Sequence, residues 1–267
     1  MKYRHLPNII CALTMVLPAC SQQAKEPQAE MAAHDTVQVV EMPQKPAREK
    51  ALLDRLSLYR ASRYESVADA VASPDTVYKL VLYGQKLGRI APEIAELAFL
   101  NSLDLAFNEL TEVPLYISGL QYLQGLYLNG NLIEDVPSFV FDYPYLSSLD
   151  ISENHLSGIS PEIQLLTELT VLNLRANKLT EIPVEIYQLR QLKSLHLDHN
   201  QLTEIPEGIT SLSNLTNLRL EQNQLTDIPD ELGYMVQLKE LWLQGNPIPL
   251  KKISYLKAKL PSTRIRF

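Results

Sequence analysis

Between Ser194 and His199 the chain gathers a hydroxyl, two imidazoles and a carboxylate (Ser194, His196, Asp198, His199), the groups from which a nucleophilic relay or a metal site is made. Spacing decides whether they can act together. Residues two apart on a strand project from one face, so Ser194, His196 and Asp198 would stand in a row, with no pocket to exclude water and no donors for an oxyanion. His196 and Asp198 would share that face with His199 at its rim, but a metal needs three or four converging ligands, and no fourth ligand is identifiable. Cys11 and Cys20 both precede the rest of the chain, which leaves it without thiolates. The expectation is no catalytic residue, no metal and no cofactor.

The elements that would carry this row come from a repeat. Segments beginning at Val77, Leu100, Leu123, Leu146, Leu169, Leu192, Leu215 and Leu238 each start 23 residues after the last, eight units spanning 77–260. In the sixth, Leu192, Leu195, Leu197, Asn200, Leu202, Ile205, Pro206, Ile209 and Leu212 hold the recurring positions. Leu195 and Leu197 fit one face of a short strand. The chain is then expected to turn at Asn200, whose amide can satisfy buried backbone groups. Asn108, Asn131, Asn154, Asn177, Asn223 and Asn246 hold the same position. Pro114, Pro137, Pro183, Pro206 and Pro229 suit the opening of a return segment, lacking an N–H to satisfy. One unit cannot bury its leucines alone, so neighbours must stack, with strands about 4.8 Å apart in a parallel sheet.

This pattern resembles the leucine-rich repeat family over more than two thirds of the chain. The resemblance implies an α/β repeat, a horseshoe solenoid with a concave parallel β-sheet, a helical N-terminal cap and a helix-plus-strand C-terminal cap. The run ESVADAVASPDTVYKLVLYGQKL resembles the entry into the repeats of bacterial leucine-rich repeat lipoproteins. For the N-terminal cap (48–76), Leu52, Leu53, Leu56 and Tyr59 fall at helical spacing, and Ser66-x-x-Asp69 is a capping box. In the C-terminal cap (249–267), Ile253, Leu256 and Leu260 form one helical face. Ile265 and Phe267 are then expected as the core pair of a final strand, with Arg264 and Arg266 facing outward against edge pairing.

Counting from the first apolar residue of a unit, positions 3, 5 and 7 alternate with the buried pair and belong on the concave face, with position 8 beside them. Position 5 supplies Asp104, Tyr127, Asp150, His196, Arg219 and Trp242, position 7 Tyr83, Arg175, Asp198 and Glu221, and position 8 Phe107. These are the candidate ligand-binding residues, because exposed aromatics beside arginine are enriched where binding energy concentrates.

The N-terminus reads as an address. Lys2 and Arg4 precede a nine-residue stretch, Ile9 to Leu17, in which only Thr14 is polar, so 1–19 has the form of a signal peptide. That stretch is too short to span about 30 Å of hydrocarbon. Leu17-Pro18-Ala19-Cys20 resembles the lipobox of bacterial lipoproteins, which implies a lipid on Cys20. Residues 20–47, rich in Gln, Glu, Ala and Pro, then form a solvated tether.

The chain of 267 residues is 46% hydrophobic and 21% charged, which excludes general disorder. Its net charge of −7 has the wrong sign for wrapping nucleic acid. Enzymes resembling this family carry catalysis on a separate domain, and only seven residues follow the last full unit. The expected protein is an exported, membrane-anchored lipoprotein of a bacterial outer membrane or cell surface. It would bind a macromolecular partner, a protein, through its concave sheet. A carbohydrate- or cell-wall-binding adhesin is the alternative, with Tyr83, Tyr127 and Trp242 stacking on sugar rings and Asp104 and Asp150 accepting hydroxyls. A cytoplasmic signalling scaffold would also suit such units, but not the export signal.

Overall fold

In a computed structural model that describes residues 51–267, every repeat contributes one three-residue strand. The signal peptide (1–19), Cys20 and the tether (20–47) lie outside the described residues. Beginning in the cap, the strands are β1 (Arg63–Tyr64), β2 (Lys79–Val81), β3 (Ser102–Asp104), β4 (Gly125–Tyr127), β5 (Ser148–Asp150), β6 (Val171–Asn173), β7 (Ser194–His196), β8 (Asn217–Arg219), β9 (Glu240–Trp242) and β10 (Arg264–Arg266). They form one open parallel sheet in sequence order. Register follows the repeat, Leu195 facing Leu218 and Leu218 facing Leu241. Any slip would drive these leucines out of the core, where Leu80, Leu103, Leu126, Leu149, Leu172, Leu195, Leu218 and Leu241 are each 0% exposed.

Behind the sheet the chain returns through short 3-10 turns. Pro183, Pro206 and Pro229 precede Val184–Gln188, Glu207–Ser211 and Asp230–Tyr234, each of which buries an apolar residue (Ile186, Ile209, Leu232). Pro92 and Pro161 instead occupy the first helical position.

The turn after each strand falls one residue before the asparagine. Position 8 is left-handed in all eight units, with φ between 51° and 74° at Gly84, Phe107, Gly130, Glu153, Ala176, His199, Gln222 and Gly245. An L-residue held there costs about 1–2 kcal/mol, and at Gly130 a side chain is also blocked, since a Cβ would come within 2.7 Å of the Phe107 ring. That reversal aims the next side chain inward. Asn200 Oδ1 accepts from Leu179 N, and its Nδ2 donates to Leu174 O and Leu197 O. The same three bonds, to residues 21 and 26 back and to the residue three before, recur at Asn131, Asn154, Asn177, Asn223 and Asn246. Asn108 makes the same set with Leu87 N, Leu82 O and Leu105 O, and its Oδ1 accepts in addition from Gln85 N. Each asparagine staples its unit to the one before.

The N-terminal cap differs from the sequence expectation. Helix α1 (Arg55–Arg60) buries no residue; Leu56 and Tyr59 are 56% and 80% exposed, and Leu52 and Leu53 precede the helix. Hydrogen bonds hold this segment instead. Asn101, fully buried, accepts from Leu53 N and donates to Ala51 O, while Gln124 Nε2 donates to Leu53 O. Helix α2 (Val67–Val71) opens as the Ser66 and Asp69 pattern predicts, with Ser66 Oγ accepting from Asp69 N. At the other end, helix α3 (Leu250–Lys259) buries Ile253 and Leu256, and Leu260 closes it. Phe267 is not a core residue: it is 53% exposed and lies under the Lys257 ammonium, 4.1 Å from its ring centroid. Among the described residues no helix is long and apolar enough to cross a membrane.

Candidate functional site: the concave sheet

Strand pairing sets the position-5 residues abreast: Tyr127 beside Asp150, then Asn173, His196, Arg219, Trp242 and finally Arg266 of β10. Position 7 forms a second row past the strand ends. The two halves of the face behave differently.

In the N-terminal half the acids serve their own turns. Asp104 Oδ1 accepts from Ala106 N; Asp150 Oδ1 accepts from Ser152 N and Ser152 Oγ, and its Oδ2 accepts from Asn173 Nδ2. Tyr83 and Phe107 form an exposed pair with ring centroids 5.2 Å apart. Tyr127 folds back over Gly125 and lines a cavity of about 280 Å³ with Arg55 and Leu58, so the cap helix reaches over this part of the face.

The C-terminal half is denser in charge. Asp198, expected as an exposed ligand-binding residue, is 2% exposed: its Oδ2 sits 2.9 Å from Arg175 Nε and 3.2 Å from His199 Nδ1. Arg175 also holds Glu153 at 2.6 Å. This explains why the Ser194, His196 and Asp198 row forms no relay, since the imidazole bonded to Asp198 is that of His199 and not His196. His196 is held below the usual imidazole range, first by burial and then by the Arg219 guanidinium, both of which disfavour its charged form. Glu221 is shifted upward by burial and by the charge of Asp198. Among the described residues no group of three His, Cys, Asp or Glu is placed to hold a metal ion.

Trp242 lies against two guanidinium groups, one from each neighbouring strand, with Arg219 Cζ 4.3 Å and Arg266 Cζ 4.2 Å from its ring centroid. Such contacts contribute about 0.5–2 kcal/mol each and fix all three side chains. Neither arginine forms an ion pair with a carboxylate among the described residues. Five buried side-chain atoms of the described residues have no hydrogen-bond partner, and four of them are here: Asp198 Oδ1, Arg219 Nε, Trp242 Nε1 and Gln244 Oε1. Arg266 and Gln244 were not among the sequence candidates. Arg266, expected to face outward as an edge guard, stands beside Trp242, where the alternation that places Ile265 inward sets it.

Comparison with known proteins agrees with this architecture. Residues 140–254 match the family described as leucine-rich repeat region. Among solved structures, an internalin (inlF) from Listeria monocytogenes aligns with 74% of this chain and 55% of its own at 26% identity and a TM-score of 0.64. The plant peptide hormone receptor RGFR1, in complex with RGF2, aligns with 68% of this chain and 30% of its own at 30% identity and a TM-score of 0.57. This chain thus spans about half the length of the internalin and less than a third of the receptor. No curated protein matches it in sequence. Eight 23-residue units stacked as one parallel sheet, stapled by asparagine and matched by these neighbours, make the chain a member of the leucine-rich repeat family.

Proposed function

We propose that this is a non-enzymatic binding protein that recognises a protein partner through the C-terminal half of its concave sheet. Leucine-rich repeat folds commonly mediate protein binding, and one neighbour, the plant receptor, is in complex with RGF2. The observation that carries the reading is the position-5 row in which Arg219 and Arg266 flank the indole of Trp242, since aromatic and arginine side chains are the ones enriched where binding energy concentrates. The carbohydrate alternative loses its main platform, because the indole of Trp242 already carries a guanidinium from each flanking strand and offers a sugar no open ring face. The signal-peptide form of 1–19 and the tetrapeptide ending at Cys20 support export and lipid anchoring in a bacterial envelope, which would present this face outside the cytoplasm.

The test is affinity capture from envelope and extracellular extracts with the full-length chain beside its Arg219→Ala/Trp242→Ala variant. A protein retained by the first and lost by the second is the expected result. Equal retention by both baits would move binding to the convex side or the caps and overturn the reading.

A further inference from the structure

The C-terminal cap carries a charge pattern of its own. Residues 250–267 hold Lys251, Lys252, Lys257, Lys259, Arg264 and Arg266 and no Asp or Glu, in a chain whose net charge is −7. Strand β10 is the last of the sheet, and α3 turns Ile253 and Leu256 inward, so its other side belongs to the end face of the described solenoid. Leu250, Lys251, Ser254, Lys257, Ala258 and Lys259 are exposed there. Lys252 turns back instead, to Asp227 at 3.1 Å and Asp230 at 2.6 Å, and so occupies two acids beside the helix. Lys251, Lys257 and Lys259 form no ion pair among the described residues. Two of them lie near aromatic rings: Lys257 over Phe267, and Lys259 at 5.6 Å from the Tyr234 centroid and 5.8 Å from that of Tyr255. Leu250 and Lys257 are two helical turns apart on one side of α3, which brings Leu250, Lys257 and Phe267 to the same flank.

We propose that this end face docks on an anionic bilayer surface, with Lys251, Lys257 and Lys259 meeting lipid phosphates while Leu250 and Phe267 enter the headgroup layer. Lysine suits that place, because its apolar stem can lie in the interface while the ammonium stays at the phosphates. Leu250 and Phe267 are 71% and 53% exposed, apolar area that a bilayer interface takes up and a soluble polyanion leaves in water. Shape points the same way. A flat surface meets the end face alone, and acids further back along the solenoid are screened beyond a Debye length of about 8 Å. An extended nucleic acid would have to run past those acids. The contact uses neither the concave sheet nor a lipid on Cys20, so it is judged apart from both.

The experiment is co-sedimentation of the full-length chain with phosphatidylcholine vesicles that contain or lack phosphatidylglycerol. The expected result is a preference for the anionic vesicles that disappears in about 1 M salt, where the Debye length falls to about 3 Å. A lysine near an anionic surface contributes about fivefold, so Lys251→Gln/Lys257→Gln/Lys259→Gln should bind about a hundredfold more weakly. Far-UV circular dichroism should stay unchanged, because all three side chains are exposed. Leu250→Ala/Phe267→Ala should weaken binding by about tenfold with the charge intact. Equal binding to both kinds of vesicle overturns the proposal, as does an anionic preference that survives in the triple lysine variant, which would place it elsewhere in the chain. Unchanged binding of the apolar variant overturns the entry of Leu250 and Phe267 into the headgroup layer. Lysine-dependent binding of a DNA oligonucleotide without binding to either vesicle would make nucleic acid the partner and overturn the bilayer.

Discussion

Asn200→Ala is expected to lower the unfolding free energy by about 3 kcal/mol. The substitution removes the only hydrogen-bond partner that the Leu179 N–H has among the described residues and one of the donors to each of the Leu174 and Leu197 carbonyls, all deep between units. Water cannot enter to replace them, because the flanking leucines are fully buried, so the desolvation cost of the orphaned amide is retained in the folded state. The left-handed backbone at His199 makes the loss larger, since the inward amide is part of what holds that residue in its strained conformation. Gln201→Ala, one residue further and exposed, keeps its backbone bond to Leu179 O and should change stability by less than about 0.5 kcal/mol. Equilibrium urea unfolding of the two variants beside the parent measures the difference. A small loss for Asn200→Ala would mean that the ladder is incidental to cohesion between units.

Leu195→Ala carries a comparable effect by a different route. Leu195 is 0% exposed in the centre of the sheet, paired in register with Leu172 and Leu218, so removing its side chain leaves a cavity that neighbouring strands cannot close without breaking register. The expected cost is about 2–5 kcal/mol, seen as a lower urea midpoint. Leu56→Ala in α1 supplies the contrast. It looks equivalent in an apolar pattern but is 56% exposed, and is expected to move stability by less than about 0.5 kcal/mol.

That contrast marks what the sequence makes legible. The 23-residue period fixes strand register and core together, because a leucine at position 4 of every unit has one place to go. The α1 segment follows the same kind of pattern without the same result. Helical spacing of Leu52, Leu53, Leu56 and Tyr59 says nothing about whether a surface waits to receive them, and here Asn101 and Gln124 hold the segment by its backbone. Asn101 gives no signal of this in the sequence, since it occupies a variable position of its unit. The left-handed residue was hidden for a related reason: Gly84, Gly130 and Gly245 hint at it, but Phe107, Glu153, Ala176, His199 and Gln222 share the conformation without the composition that announces it.

The candidate site was legible in membership more than in state. Alternation along the strands places Arg175, His196, Arg219, Glu221 and Trp242 on one face, and the structure brings them together there. What each does depends on neighbours 23 residues away. Asp198 is buried because Arg175 and His199 close over it, and Arg266 joins Trp242 because α3 adds one residue, so that Ile265 pairs with Leu241 at a separation of 24. Composition sets the overall charge; only packing shows that two guanidinium groups meet on one indole and that four buried polar atoms of this face have no hydrogen-bond partner among the described residues.

The most direct test of the central claim is hydrogen exchange of the full-length chain with and without its captured partner. New protection is expected in 194–199, 217–222, 240–245 and 264–267, the segments that bear the two rows. Protection confined to the 3-10 segments 184–188, 207–211 and 230–234 on the opposite side would contradict it.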